Sequence, residues 1–326
     1  MKSILMRALF GVLLLAPNLA HAQTKVTFGY LADPSHEAAL WALRHGKVKS
    51  DKITIEATPL NISALIQATA ARTYDVIETA AVAVPRARER GLDLRIIGTG
   101  LRYHASGEGS GIWVKKGSPI KTINDLKGKK LGVYSLGSAG ITLVRIALAD
   151  VHGFNVNVRG GDVEFLEMPA PAMPAALASG SIDAATLIHA QAFKAMQTGE
   201  FVPIVQTAGD LTKKFGVRMV SAVLAGYGDK LDANPDAYKE FLRVLHASTE
   251  YAQAHPDEVF PAVGQETKTD PAFFKAWFTR FSEFPVLLTK NDMKAIGLLW
   301  KRSIELDLLK KAPPVEETVW KPAIQN

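Results

Sequence analysis

The chain has 326 residues, with 38 Lys and Arg against 32 Asp and Glu and no cysteine at all. Without thiols it has no disulfides, cysteine nucleophiles or Cys-based metal and iron–sulfur centres, and its dispersed basic residues lack the clustered stripe that nucleic-acid binding needs, which sets DNA and RNA aside as partners. At this length, 48% apolar residues supply a sizeable core, usually divided between two lobes.

The N-terminus reads as a secretory signal peptide. Lys2 and Arg7 precede the apolar run Ala8–Ala16, and Ala20-His21-Ala22 supplies a small-residue processing site, so cleavage is expected after Ala22. The run is too short to span a membrane. Removing residues 1–22 takes away two bases and no acids, leaving 36 basic against 32 acidic side chains and a net charge of +4.

Beyond that point, short β-type runs alternate with helical patterns, which predicts an α/β architecture with mainly parallel strands. Val26–Tyr30 is the first strand. Asp33-Pro34-Ser35 then opens a helix to about His45, with a capping residue and a proline in the first turn. A strand at Ile53–Ala57, a helix at Ser63–Ala71, a strand at Asp75–Glu78, a helix at Val82–Arg90 stopped by Gly91 and a strand at Leu94–Ile97 follow. Residues Leu101–Gly111 form a glycine-rich crossover. The stretch Asn124–Gly140 reads as a turn, a short strand, a glycine-serine loop and a helix start, with apolar spacing resuming at Ile141, Val144, Ile146 and Leu148. That places Ser138 or a neighbour at an N-cap, where free N–H groups and the helix dipole favour an anion.

An internal echo appears at an offset of 108 residues. Asp75 maps onto Asp183, Gly91 onto Gly199 and Thr99 onto Thr207, and the helix Ala64–Ala71 aligns with Ala172–Ser179. One βα plan used twice accounts for it. A second crossover near 216–221 precedes a strand at Met219–Leu224, so one lobe is discontinuous: 23–102 plus 220–326 form the first and 103–219 the second. Helices opened by Asn234-Pro235 and Asp270-Pro271, and by the capping box Thr289-x-x-Asp292 before Met293–Leu309, make the C-terminal third helical.

With Asp125-Leu126-Lys127-Gly128-Lys129-Lys130 followed by Gly137-Ser138, with Ala175-Ala176-Leu177-Ala178-Ser179-Gly180-Ser181-Ile182-Asp183-Ala184, and with Ser118-Pro119-Ile120 ahead of both, the chain resembles the periplasmic solute-binding proteins of the nitrate/sulfonate/taurine class that serve ABC transporters. The resemblance spans nearly the whole mature chain. It implies a two-lobed type II periplasmic-binding fold whose lobes close by hinge rotation on a ligand in the cleft, and a monomer that docks on an inner-membrane permease. The chain departs from the family pattern at Arg72-Thr73-Tyr74-Asp75, where many relatives carry a glycine before the aspartate, and at Ile188-His189-Ala190-Gln191, where a Glu-Pro pair is common.

Ligands of open α/β sheets lie beyond the carboxyl ends of the strands. The candidates at such ends are Ala32, Asp33, His36, Glu78, Thr79 and Ala80 in the first lobe and Ser135, Gly137, Ser138, Ala139 and His189 in the second, with Tyr103, His104 and Arg218 near the crossings. His189 either hydrogen-bonds an anionic head group or is a surface histidine. Arg102 and Arg218 either grip a carboxylate or sulfonate or are solvated near a hinge. Tyr103 either stacks on an organic ligand or packs in the crossover, and Glu78 either binds an amine or ends a buried strand. Lys127, Lys129 and Lys130 precede the strand and read as solvated surface. Ser138 lacks the G-x-S-x-G elbow, and the eight histidines show no metal spacing. No enzyme activity, cofactor or metal is therefore expected. Pyrimidine-precursor synthesis on the same fold class needs a cysteine-rich segment impossible here. The reading is a receptor for a small organic anion (sulfonate, taurine-like or carboxylate), with sensory input to a membrane signalling protein as the alternative.

Overall fold

The computed structural model describes residues 23–323; the signal-peptide reading of residues 1–22 lies outside them. The chain runs β1 (Thr24–Leu31), α1 (Pro34–Arg44), β2 (Ile53–Leu60), α2 (Ile62–Ala71), β3 (Val76–Ala80), α3 (Ala83–Glu89) and β4 (Leu94–Tyr103). It crosses to β5 (Ile112–Lys115), β6 (Lys130–Val133), α4 (Ala139–Asp150), β7 (Glu164–Glu167), α5 (Met173–Ser179), β8 (Ala184–Ala185), α6 (His189–Thr198), β9 (Phe201–Val205) and α7 (Thr207–Phe215). It returns through β10 (Val220–Tyr227) to α8 (Gly228–Ala233), α9 (Pro235–Ala254), α10 (Pro256–Thr267), α11 (Pro271–Ala276), β11 (Ser282–Glu283) and α12 (Lys290–Glu305).

Two mixed sheets result, in the orders β11-β4-β10-β3-β1-β2 and β7-β6-β8-β5-β9. In each, three parallel strands (β2-β1-β3 and β7-β6-β8) are followed by one antiparallel insert, β10 or β5, and then by the strand that ends the repeat. The insert is the strand that follows a crossing. Each crossing thus ends inside the other sheet, so the connection is tied down at both ends.

The 108-residue echo is physical. Asp75 precedes β3 and its carboxylate accepts from the Thr27 N–H (2.8 Å) and hydroxyl (2.7 Å) on β1. Asp183 precedes β8 and accepts from the Lys130 N–H on β6 (2.8 Å). Each aspartate fixes the register of a central parallel pair. Thr99 and Thr207 are not equivalent, since Thr99 lies inside β4 and Thr207 opens α7.

β4 continues to Tyr103, past the expected end at Ile97, because it pairs along its length with β10. Gly98 disguises this in sequence; it is glycine because a Cβ there would meet the Val286 carbonyl. The main core joins the first sheet to Phe241, Trp277 and Trp300 of the C-terminal helical region. The second sheet has two smaller clusters. Helix α4 belongs to both lobes: Ile141, Val144 and Leu148 pack under the second sheet, while Leu143, Ile146 and Ala147 join the main core.

Candidate functional site

Both sheets point strand ends at a cleft, and two connected hollows fill it. An inner chamber of about 90 Å³ is walled by Leu31, Leu65, Leu101, Ile188 and Ala222, with the hydroxyls of Thr79, Tyr103, Tyr134, Ser138 and Ser221 among them. It shares Leu31, Ile62, Tyr134 and Ile188 with an outer cleft of about 780 Å³ that reaches Asp33, Asn61, Ser135, Glu167 and Gln191.

The β6–α4 corner forms one wall. Ser138 is the N-cap: its hydroxyl accepts from the Ile141 N–H at 3.2 Å, and its carbonyl accepts from Thr142 N–H as the first turn closes. The Ala139 and Gly140 amides therefore lie ahead of the helix's own hydrogen bonding, on residues that line the chamber. Gly140 has a steric reason: a Cβ there would run into the Tyr134 hydroxyl and would lie 3.5 Å from that of Tyr103. Burial pushes both phenols upward in pKa, so they stay protonated donors.

The opposite corner, at β1–α1 and the end of β3, is ionic. Asp33 caps α1, one oxygen accepting from the Ser35 N–H (2.9 Å) and hydroxyl (2.5 Å). That hydroxyl lies 3.3 Å from His36 Nδ1, and His36 Nε2 lies 3.0 Å from Glu78 Oε1. The Leu31 N–H donates to the second Glu78 oxygen at 2.9 Å. Across the cleft, His189 Nδ1 meets the other Asp33 oxygen at 2.8 Å. Burial drives the Asp33 carboxyl up, but the charges and hydrogen bonds of His189, His36 and Ser35 outweigh it and hold the group well below the usual carboxylate range. Burial opposes charge on His36, yet the Glu78 carboxylate beside it raises the imidazole above its ordinary value. His36 and Glu78 thus form a fully buried, hydrogen-bonded pair in which the carboxylate favours the protonated imidazole. His189 adopts a left-handed backbone (φ 50°), with its N–H on the Gly109 carbonyl, to deliver its ring to Asp33.

Of the residues singled out in the sequence, Glu78, Thr79, Ala80, Tyr103, Ser138, Ala139 and His189 line the inner chamber, and Ala32, Asp33 and Ser135 the outer cleft. Five do not line either. His36 is turned beneath the surface by the first turn of α1, at 0% exposure. The Gly137 carbonyl accepts from Arg86 at 2.7 Å. His104 folds onto Ser106 in the crossing. Arg218 donates to the Tyr103 carbonyl and pairs with Glu283, and Arg102 pairs with Glu283 and Asp292. Sequence reasoning missed the apolar walls and Tyr134. The signal that finds α2 is its excess of apolar side chains: Ile62-Ser63-Ala64-Leu65-Ile66 leaves Ile66 38% exposed, more apolar surface than the sheet beneath uses.

Among the described residues, no group of three His, Asp or Glu side chains is arranged to hold a metal, and no helix is long and apolar enough to cross a membrane.

The sequence model of the NMT1/THI5-like family matches residues 36–259, which carry β2 to β10 and most of both cleft corners. The chain belongs to the NMT1/THI5-like family. Among relatives, a Haemophilus influenzae protein named for thiamine biosynthesis is 24% identical over 254 residues, 77% of this chain and 76% of that protein. Among solved structures, the alkanesulfonate-binding protein SsuA from Xanthomonas axonopodis pv. citri, bound to MOPS, superposes with a TM-score of 0.74 at 17% identity, covering 91% of this chain and 98% of that one. The periplasmic aliphatic sulphonate-binding protein SsuA from Escherichia coli gives 0.73 at 15%, covering 94% of each. At such identities these likenesses show the fold, a two-lobed α/β periplasmic-binding-protein fold.

Proposed function

We propose that this member of the family is an exported solute receptor that captures a small organic molecule between its lobes and hands it to an ABC permease. The observation that carries this reading is the cleft: a chamber at the carboxyl ends of two separate sheets, lined from both and bridged by the Asp33–His189 pair. Binding favours closure only through contacts to both lobes, and this lining offers them. The sequence suggests a sulfonate, taurine-like or carboxylate solute, whose acceptor oxygens would meet the Ala139 and Gly140 amides. The protein acts as a binder on this reading, since no nucleophile and base are paired in the chamber: Ser138 Oγ donates to the Ser135 carbonyl, and His189 is committed to Asp33. The name of the Haemophilus relative is compatible with supply of a precursor by binding.

A thermal-shift screen of sulfonates, zwitterions, carboxylates and neutral amides tests this. A ligand at a hundredfold excess over its Kd stabilises by about 2.7 kcal/mol. Ser138→Pro, which removes the capping hydroxyl and the N–H that ties Ser138 to the Ser135 carbonyl and so disturbs the first turn of α4, should weaken binding far more than Lys129→Ala on the exposed side. A screen that moves nothing, or the reverse order of the two variants, overturns the reading.

A further inference from the structure

The charged groups around the inner chamber leave none for an ionised ligand. Among the described residues, no lysine or arginine lines either hollow. Three guanidinium groups bonded to residues of the crossings and the β6–α4 loop are engaged elsewhere: Arg86 donates to the Gly137 and Leu308 carbonyls, Arg102 to Glu283 and Asp292, and Arg218 to the Tyr103 carbonyl while pairing with Glu283. The two histidines are each bound to a carboxylate, His36 to Glu78 and His189 to Asp33. The acids are equally committed, since both Glu78 oxygens and both Asp33 oxygens already accept hydrogen bonds. What remains free is apolar wall and neutral donors.

We propose that the group this protein seats in its inner chamber is uncharged: a small apolar body, no larger than a single ring, carrying one hydrogen-bond acceptor. The inference rests on the receptor reading of the cleft and narrows it against the anion that the sequence suggests. Moving an ion from water into such a space without a free countercharge costs several kcal/mol, whereas the apolar walls favour a neutral body by the area they cover. The acceptor faces the Tyr134 hydroxyl and the open amides of α4, which satisfy it without any formal charge.

The test is calorimetric titration of the purified protein with matched sets that differ only in charge: benzamide, benzoate and benzylamine, and butyramide, butyrate and butylamine. The neutral member of at least one set should bind more tightly than both charged partners by about tenfold or more, with an affinity unchanged between low and high salt. Ala80→Leu, which fills the chamber from β3, should abolish that binding while leaving the circular-dichroism spectrum intact. Tighter binding of a carboxylate, sulfonate or amine, or an affinity that falls with salt, overturns the uncharged-group proposal and leaves the receptor standing. If nothing in these sets or in the sulfonate and zwitterion screen binds, the receptor reading falls and this proposal with it.

Discussion

The two βα corners that face each other across the cleft occupy equivalent places in a repeated plan, yet they are built from opposite chemistry. In the first lobe the corner is a chain of buried ionic groups, Asp33, His36 and Glu78, threaded by Ser35. In the second, the residue 108 positions after Glu78 is Thr186, a buried hydroxyl that donates to the Gly132 carbonyl at 3.2 Å, and the helix cap is a serine. The backbone plan tolerates either solution. The ionic corner specifies a rigid geometry and reaches over to hold His189, while the hydroxyl corner leaves room and neutral donors for a ligand. The first lobe thus supplies the fixed jaw and most of the apolar lining of the inner chamber, and the second supplies the Tyr134 hydroxyl and the first-turn amides of α4.

Substitutions at paired positions put the difference to the test, and the largest effect belongs to the ionic corner. Glu78→Gln removes the carboxylate partner of His36, a histidine at 0% exposure, and should destabilise by about 3–5 kcal/mol in urea unfolding; Thr186→Val should cost only about 1 kcal/mol. Equal losses would erase the contrast. The same corner carries a pH signature. His36 has its folded pKa raised, so its stabilising share is complete below the unfolded value of about 6.5 and is lost as pH rises through the folded one. Asp33 is depressed, so its share is present above about 4 and disappears as pH falls further. Urea midpoints measured across pH should decline on the alkaline side in the native protein and flatten there in Glu78→Gln.

Next in size are the register aspartates. Asp75 holds Thr27 twice and also the Lys230 ammonium at 2.6 Å, whereas the Asp183 side chain holds one backbone N–H. Asp75→Ala should therefore cost about 2–3 kcal/mol and Asp183→Ala about 1 kcal/mol, again read from urea midpoints. The smallest contrast lies at the caps just before them. Gly180 ends α5 at φ 78°, and its counterpart Arg72 ends α2 in the same left-handed region at φ 56°. Gly180→Ala should lose about 1 kcal/mol, but Arg72→Gly should leave the melting temperature nearly unchanged, because relief of the backbone offsets the lost stacking on Tyr227 and pairing with Asp229. A clear gain in Arg72→Gly would mean that those side-chain contacts contribute nothing.

Much of this scaffold was legible because its signals are local. Asp33-Pro34, Asn234-Pro235 and Thr289-x-x-Asp292 all open helices as expected, and the last two residues form the full capping box. The last helix ends at Glu305, short of the expected Leu309, as Asp307 turns into the left-handed region and Leu309 buries. The family resemblance and the repeated plan were readable from short motifs in order. What depended on distant partners was not. Asp33 and His189 lie 156 residues apart, and nothing in either neighbourhood announces the other. The position of His36 just after β1 suggests a cleft residue, but the first turn of α1 directs its ring inward onto Glu78 instead. The arginines near the crossings were read as possible anion grips, and only their acidic and carbonyl partners from β11, α12 and the crossing itself reveal that they are occupied.

The double membership of α4 has a consequence for the independence of the two lobes. Its Ile141, Val144 and Leu148 are covered from within the second lobe, whereas Leu143, Ile146 and Ala147 belong to the core that β10 and α12 of the other lobe complete. The helix that walls the inner chamber thus depends for one of its faces on the C-terminal region. The second lobe is therefore not a self-contained module: one face of its helix α4 is covered by β10 and α12 of the other lobe.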